Sequence, residues 1–158
     1  MHSGNGPSTW IPIQRLNNVQ ITGKEIQLYT NDNQLDSIYI PKNPFIISPD
    51  DSLKYYNQIK GNILSGKFQT NKINYIDING NSKMKYFDDN QKNKSIITIN
   101  DIEAGNIKLL FEENNVKEIV CFDQIESNYI EIDLINNSKK QEESIYLDGF
   151  MLINRLSL

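Results

Sequence analysis

The stretch "IKLLFEENNVKEIVCFD" spans residues 107–123. Apolar residues recur along 107–111, the tetrad "EENN" interrupts them, and a second apolar run follows. Two short runs joined by turn-forming residues predict a β-hairpin. Take Ile107 as position zero. Apolar residues then fall at +9 (Val116), +12 (Ile119) and +14 (Cys121). The same offsets from Ile26 land on Leu35, Ile38 and Ile40, and from Leu64 on Ile73, Ile76 and Ile78. Position +7 is Asn in each copy (Asn33, Asn71 and Asn114), and +4 is Thr30, Phe68 or Phe111. The copies start 38 and 43 residues apart, a spacing that marks stacked supersecondary units.

Asn suits the turn because it tolerates a left-handed backbone. The step from +9 to +12 is odd, so those residues cannot share one face of a regular strand. A β-bulge, or a turn ending near +9, would restore the register. Each unit therefore reads as strand, Asn-bearing turn, strand, and then a further strand at Phe45–Ile47, Met84–Phe87 or Tyr129–Ile132.

Outward from these units, 9–13, 19–22, 25–30, 35–40, 44–48, 73–78, 83–87, 95–100, 106–111, 117–122 and 129–135 all read as strands. The segments between them are rich in Asn, Asp, Ser and Gly, as turns require. Only 52–60 and 141–147 could make a helical turn. The expected fold is all-β, an antiparallel jelly-roll-like stack of short repeated hairpins with about 10–12 strands. Residues 1–8 are expected to be a flexible tail or an expression remnant. Residues 9–158 are expected to form one β domain, with repeats at about 19–48, 59–87 and 102–135.

Composition agrees with this pattern. The 158 residues fit one domain, and 25 Ile and 22 Asn favour strands and turns respectively. A net charge of −4, with no basic cluster longer than Lys139-Lys140, argues against a nucleic-acid partner. One cysteine excludes an intrachain disulfide, and no apolar run is long enough for a membrane-spanning helix. The start "MHSGNGPSTW" carries no apolar core of a signal peptide.

Catalytic motifs are sparse. The single histidine is His2, which removes histidine triads and most zinc sites. Cys121 lies in a strand pattern and reads as a small buried hydrophobe. Asp77, Asn79, Asn81 and Asp88 faintly resemble a calcium loop, but Gly80 stands fourth rather than sixth, which suits a hairpin turn. The pairs Asp50-Asp51, Asp88-Asp89 and Glu112-Glu113 lie in loops and read as solvated surface. Nothing marks a glycosidase acid pair, a phosphate loop or a dinucleotide fingerprint. No catalytic residue, metal ligand or cofactor is therefore expected.

The block 55–87 contains Tyr56, Asn57, Gln58, Ile59, Lys60 and Gly61, followed by Gly66, Phe68, Asn71, Ile76, Asp77, Gly80, Asn81 and Tyr86. This succession resembles the OstA-like family of lipopolysaccharide-transport proteins, especially its longer members with several such repeats. Residues 99–122 and 35–48 are similar to the strand pairs that follow and precede it there. The ending "YLDGFMLINRLSL" resembles a family ending, without its Trp and Arg-Pro. The resemblance implies a periplasmic β jelly roll whose apolar groove shelters lipid acyl chains. It also implies edge-to-edge stacking with other transport-bridge β domains, or end to end with its own copies. Lipopolysaccharide or a related lipid is the implied ligand. The residues expected to face inward are Ile26, Leu28, Ile38, Ile40, Leu64, Phe68, Ile76, Ile78, Ile107, Leu109, Phe111, Ile119 and Cys121. An alternative from the same strands is a structural β-domain with a filled core that contacts other proteins. A sugar-binding or hydrolytic β-domain is disfavoured by the single Trp and the missing acid pair.

Overall fold

The Asn-bearing turns are two-residue loops. Asp32–Asn33, Thr70–Asn71 and Glu113–Asn114 all have positive φ, from 50° to 64°. Two consecutive left-handed residues make a type I′ turn, whose twist matches that of the flanking strands. These turns are seen in a computed structural model that describes residues 13–16, 19–49, 55–89, 95–135 and 145–152. The expected tail and Trp10 lie outside those residues, as do Asp50-Asp51 and 141–144.

Eleven strands form one antiparallel, curled sheet, a half-barrel without a helix among the described residues. They are β1 (Ile13–Leu16), β2 (Val19–Thr22), β3 (Gln27–Asn31), β4 (Gln34–Ile40), β5 (Phe45–Pro49) and β6 (Tyr56–Lys60). They continue with β7 (Ile63–Gln69), β8 (Lys72–Asp89), β9 (Ile96–Glu112), β10 (Asn115–Phe122) and β11 (Glu126–Asp133). The all-β, jelly-roll-like class expected from the sequence is the observed one.

Strands β8 and β9 are long enough to serve two limbs. The first half of β8 pairs with β7 and the second half of β9, which pairs with β10. With β4 and β3 added, this makes a hairpin limb that carries the three Asn turns. The second half of β8 pairs with β6 and the first half of β9, which pairs with β11. With β5, β2 and β1 added, this makes the opposite limb. The chain passes from one limb to the other at Gly23, 41–44, Gly61, Gly80–Asn81, Gly105 and Asp123. Between Asn79 and Ser82 the β8–β9 register shifts, with Gly80 at φ 85° and Asn81 at φ 46°. Backbone bonds tie these corners together. The Asn62 amide donates to the Gly80 carbonyl at 2.9 Å, and the Lys24 amide to that of Lys42 at 3.0 Å.

The odd offset in the repeat has a structural cause. The β3–β4 register skips Asp36, the β7–β8 register skips Asn74, and the β10–β9 register skips Lys117. Each is a one-residue bulge at position +10, which turns both +9 and +12 to the same face. The turn asparagines also link successive units. Asn71 Oδ1 accepts from the Leu35 amide at 2.8 Å, and Asn114 Oδ1 from the Ile73 amide at 3.2 Å. Each side chain thus holds the +9 residue of the unit before it.

Three points differ from the sequence reading. Residues 56–60 are strand β6 and not a helical turn. Gln58, although polar, is fully buried there, and this obscured the alternation. The separate strands expected at 73–78 and 83–87 are one bent strand, as are those at 95–100 and 106–111. The C-terminal segment 145–152 is a strap across the outer face of the limb opposite the turns, hereafter the strap limb. Ile145 packs with Phe87, Ile97, Ile99 and Ile132, and Leu147 with Phe45 and Ile47. Gln58 holds the strap from both sides: its Nε2 donates to the Ile145 carbonyl at 2.8 Å, and its Oε1 accepts from the Leu147 amide at 2.7 Å.

The turn chemistry makes Asn71 separable into two parts. Asn71→Ala should lose about 1–3 kcal/mol in urea unfolding, from a strained left-handed alanine plus the lost hydrogen bond. Asn71→Gly should recover the backbone part and keep the hydrogen-bond deficit. Equal losses in both variants would contradict this account.

The corner predicts a second coupling. A Cβ at Gly23 would lie 2.3 Å from Ile40 Cγ2, and one at Gly61 would lie 2.3 Å from Ile78 Cγ2. At the equivalent positions the third unit carries Ala104 and Cys121. The smaller cysteine partners the larger residue at the corner. Gly61→Ala should therefore cost about 1–3 kcal/mol in the native background. It should cost markedly less in an Ile78→Cys background, a coupling a double-mutant cycle resolves. Strict additivity would refute the size exchange.

Candidate functional site

The two limbs face each other across one apolar cluster. Its buried members from the hairpin limb include Ile26, Ile38, Ile40, Leu64, Phe68, Ile76, Ile78, Ile107 and Leu109. Leu28, Phe111, Ile119 and Cys121 are partly buried against it. All the residues singled out in the sequence as inward-facing thus lie on a single surface. The register explains why. Ile40 opposes Leu64, Leu64 opposes Ile78, Ile78 opposes Ile107, and Ile107 opposes Cys121, so one row crosses β4, β7, β8, β9 and β10. Full burial of each such side chain contributes about 1.5–3 kcal/mol.

The opposite limb supplies residues that the sequence reading did not single out. Ile21, Ile46, Ile59 and Met84 are buried members of the same cluster, and Ile102 packs against it. Extending the repeat would have revealed them. Ile21, Ile59 and Ile102 stand at −5 from the three starting residues, and Ile46 and Met84 at +20.

Towards the corner this cluster is closed, with Ile40, Leu64, Ile76, Ile78 and Ile107 at 0% exposure. Towards the mouth the limbs separate and leave a groove of about 540 Å³. That volume lies in the range of small-molecule sites, about 300–1,000 Å³. Val19, Ile46, Ile59, Met84 and Tyr86 line it from one limb, and Leu109, Phe111, Val116 and Ile119 from the other. Ser48, Asn57, Asn114 and Asn115 add neutral polar atoms, and no charged side chain is among its lining residues. Of the residues singled out in the sequence, Leu109, Phe111 and Ile119 line this open part. The others named above lie in the closed part or beside it.

Charges sit on the outer faces instead. Lys108 Nζ lies 3.5 Å from Asp77 and 4.3 Å above the Tyr75 ring. Lys67 pairs with Asp36 at 3.2 Å, and Lys72 with Glu113. The "EENN" acids are accordingly exposed and ion-paired, since Glu112 meets Lys117 at 3.4 Å. Asp77, part of the faint calcium-like spacing, is occupied by Lys108, and Gly80–Asn81 is a corner. No metal-holding cluster occurs among the described residues.

Burial pushes the Cys121 thiol above its ordinary range, because desolvation disfavours the thiolate. Alkylation of Cys121 should therefore lag behind that of a free thiol below about pH 9 and catch up only at higher pH. A labelling rate that already plateaus near pH 8 would show that the side chain is not desolvated.

No family model matches the chain, nor does any curated protein or solved structure.

Proposed function

We propose that the protein is a non-enzymatic lipid-holding module that shelters acyl chains in the groove between its limbs. The observation that carries this reading is the groove itself: apolar side chains on both walls beside neutral polar ones, no charge among its lining residues, and an open mouth. Each lipid methylene that leaves water contributes about 0.8 kcal/mol, so such walls can hold a chain without directional chemistry. The closed part of the cluster supports the groove as a rigid floor. The block from Tyr56 to Tyr86 points in the same direction, through its resemblance to OstA-like repeats. On that resemblance the ligand is lipopolysaccharide or a related lipid, the compartment is the periplasm, and the process is outer-membrane biogenesis.

A second reading has its own observation. Strands β1, β3, β10 and β11 each pair on one side only among the described strands. At the β10–β11 end, Phe122, Ile125 and Tyr129 are exposed. Unpaired edges bearing apolar side chains accept further strands. A structural domain that joins other β domains, or copies of itself, would use these edges and leave the groove empty.

Native mass spectrometry and photo-crosslinking with lipopolysaccharide separate the two. The first reading expects bound lipid, and Phe111→Asp should weaken capture at least tenfold, about 1.4 kcal/mol. Because Phe111 is only partly buried, the variant should still unfold cooperatively. A folded native protein that captures no lipid would rule the first reading out. A protein that stays strictly monomeric at high concentration would count against the second.

A further inference from the structure

A second cavity, of about 650 Å³, opens on the outer side of the corner, between the strap limb and the strap. It shares no lining residue with the groove. Unlike the groove, it has charged side chains among its lining residues. Lys24, Lys60 and Lys83 line it with Asn62 and Asn81, and Asp148 is the only acid among its lining residues. The chain as a whole carries a charge of −4, so this is a local reversal of sign.

The lysines are poorly compensated. Lys60 and Lys83 stand directly opposite each other in the β6–β8 register. Like charges in that position repel and destabilise the pair. Lys60 Nζ donates to the Asp148 carbonyl at 2.9 Å, a neutral acceptor that leaves its charge intact. Lys83 pairs with Glu103 at 3.1 Å, with both side chains near half exposed, where such pairs are weak. Lys24 pairs with no carboxylate among the described residues. Ammonium groups and side-chain amides on residues that line one hollow are a donor set for a multiply charged oxyanion.

We propose that this corner cavity binds a phosphomonoester group, either free in solution or carried on a lipid headgroup. The proposal stands independently of the groove, since none of its donors faces the apolar cluster. A phosphate dianion would sit between Lys60 and Lys83 and turn their repulsion into a shared attraction. Asn62 and Asn81 would donate from the corner.

The test uses the whole chain and two probes. Inorganic phosphate, titrated at constant ionic strength against chloride, should shift the amide resonances of Gly61, Asn62 and Asn81 saturably. Vesicles of phosphatidic acid should bind and compete with phosphate if the source is a headgroup, and phosphatidylcholine vesicles should not. Saturation by phosphate without vesicle binding would assign a soluble ligand. Lys60→Gln and Lys83→Gln should each weaken binding about tenfold. Lys117→Gln, on a distant exposed ion pair, should leave it unchanged, and Phe111→Asp should leave the phosphate shifts in place. Absence of saturable shifts with both probes would overturn the proposal, as would equal weakening by Lys117→Gln.

Discussion

The sheet can fold back on itself because no side chain stands in the way at its corner. Gly23 and Gly61 let the backbone pass within 2.3 Å, from a Cβ position, of the methyl groups of Ile40 and Ile78. Those isoleucines are among the fully buried members of the apolar cluster. Their burial and the sharpness of the bend are therefore one constraint. A bulkier corner would hold the limbs apart and expose the row from Ile40 to Cys121. A smaller row would remove the surface against which the corner closes. The third unit meets the same constraint differently, with Ala104 at the corner and Cys121 in the row. This gives the lone cysteine a packing reason that needs no chemistry.

Much of this was legible from spacing. The Asn at +7 announced the turns, and the odd step from +9 to +12 called for either a bulge or a turn ending near +9, of which the structure has the bulge, at Asp36, Asn74 and Lys117. Both signals are local, set by backbone stereochemistry within a few residues. What the pattern did not reveal is non-local. Strand β6 was obscured because Gln58 is buried for a partner 87 residues away, the Ile145 carbonyl. The strap limb is apolar on both faces, as "PFIIS" at 44–48 records, and such runs lack the alternation that assigns a face. One of its faces looks into the groove and the other is covered by the strap. Continuity through Gly80–Asn81 was also missed, since glycine and asparagine signal a turn whether the chain reverses or only bends.

The site divides by chemistry along the same geometry. The inner surface between the limbs has no charged residue lining its groove, whereas the outer surface at the corner gathers three lysines. For Lys60 and Lys83 this separation follows from strand alternation, because neighbouring residues on a strand point to opposite sides of the sheet. Ile59 and Lys60 are such neighbours, as are Lys83 and Met84. One pair of strands thereby contributes to two surfaces, one uncharged and one bearing lysines.

The asparagine bonds that join successive turns also set a unit of length. Asn71 reaches back to Leu35 and Asn114 to Ile73, so each unit is registered on its predecessor. The units differ in length, starting 38 and 43 residues apart, so the connections between them can vary, but a single strand cannot be added without breaking a rung. The chain grows by whole units, each adding two strands to the hairpin limb, or about 10 Å at ordinary strand spacing. The extent of the groove is thus set in whole units, counted by the asparagine turns.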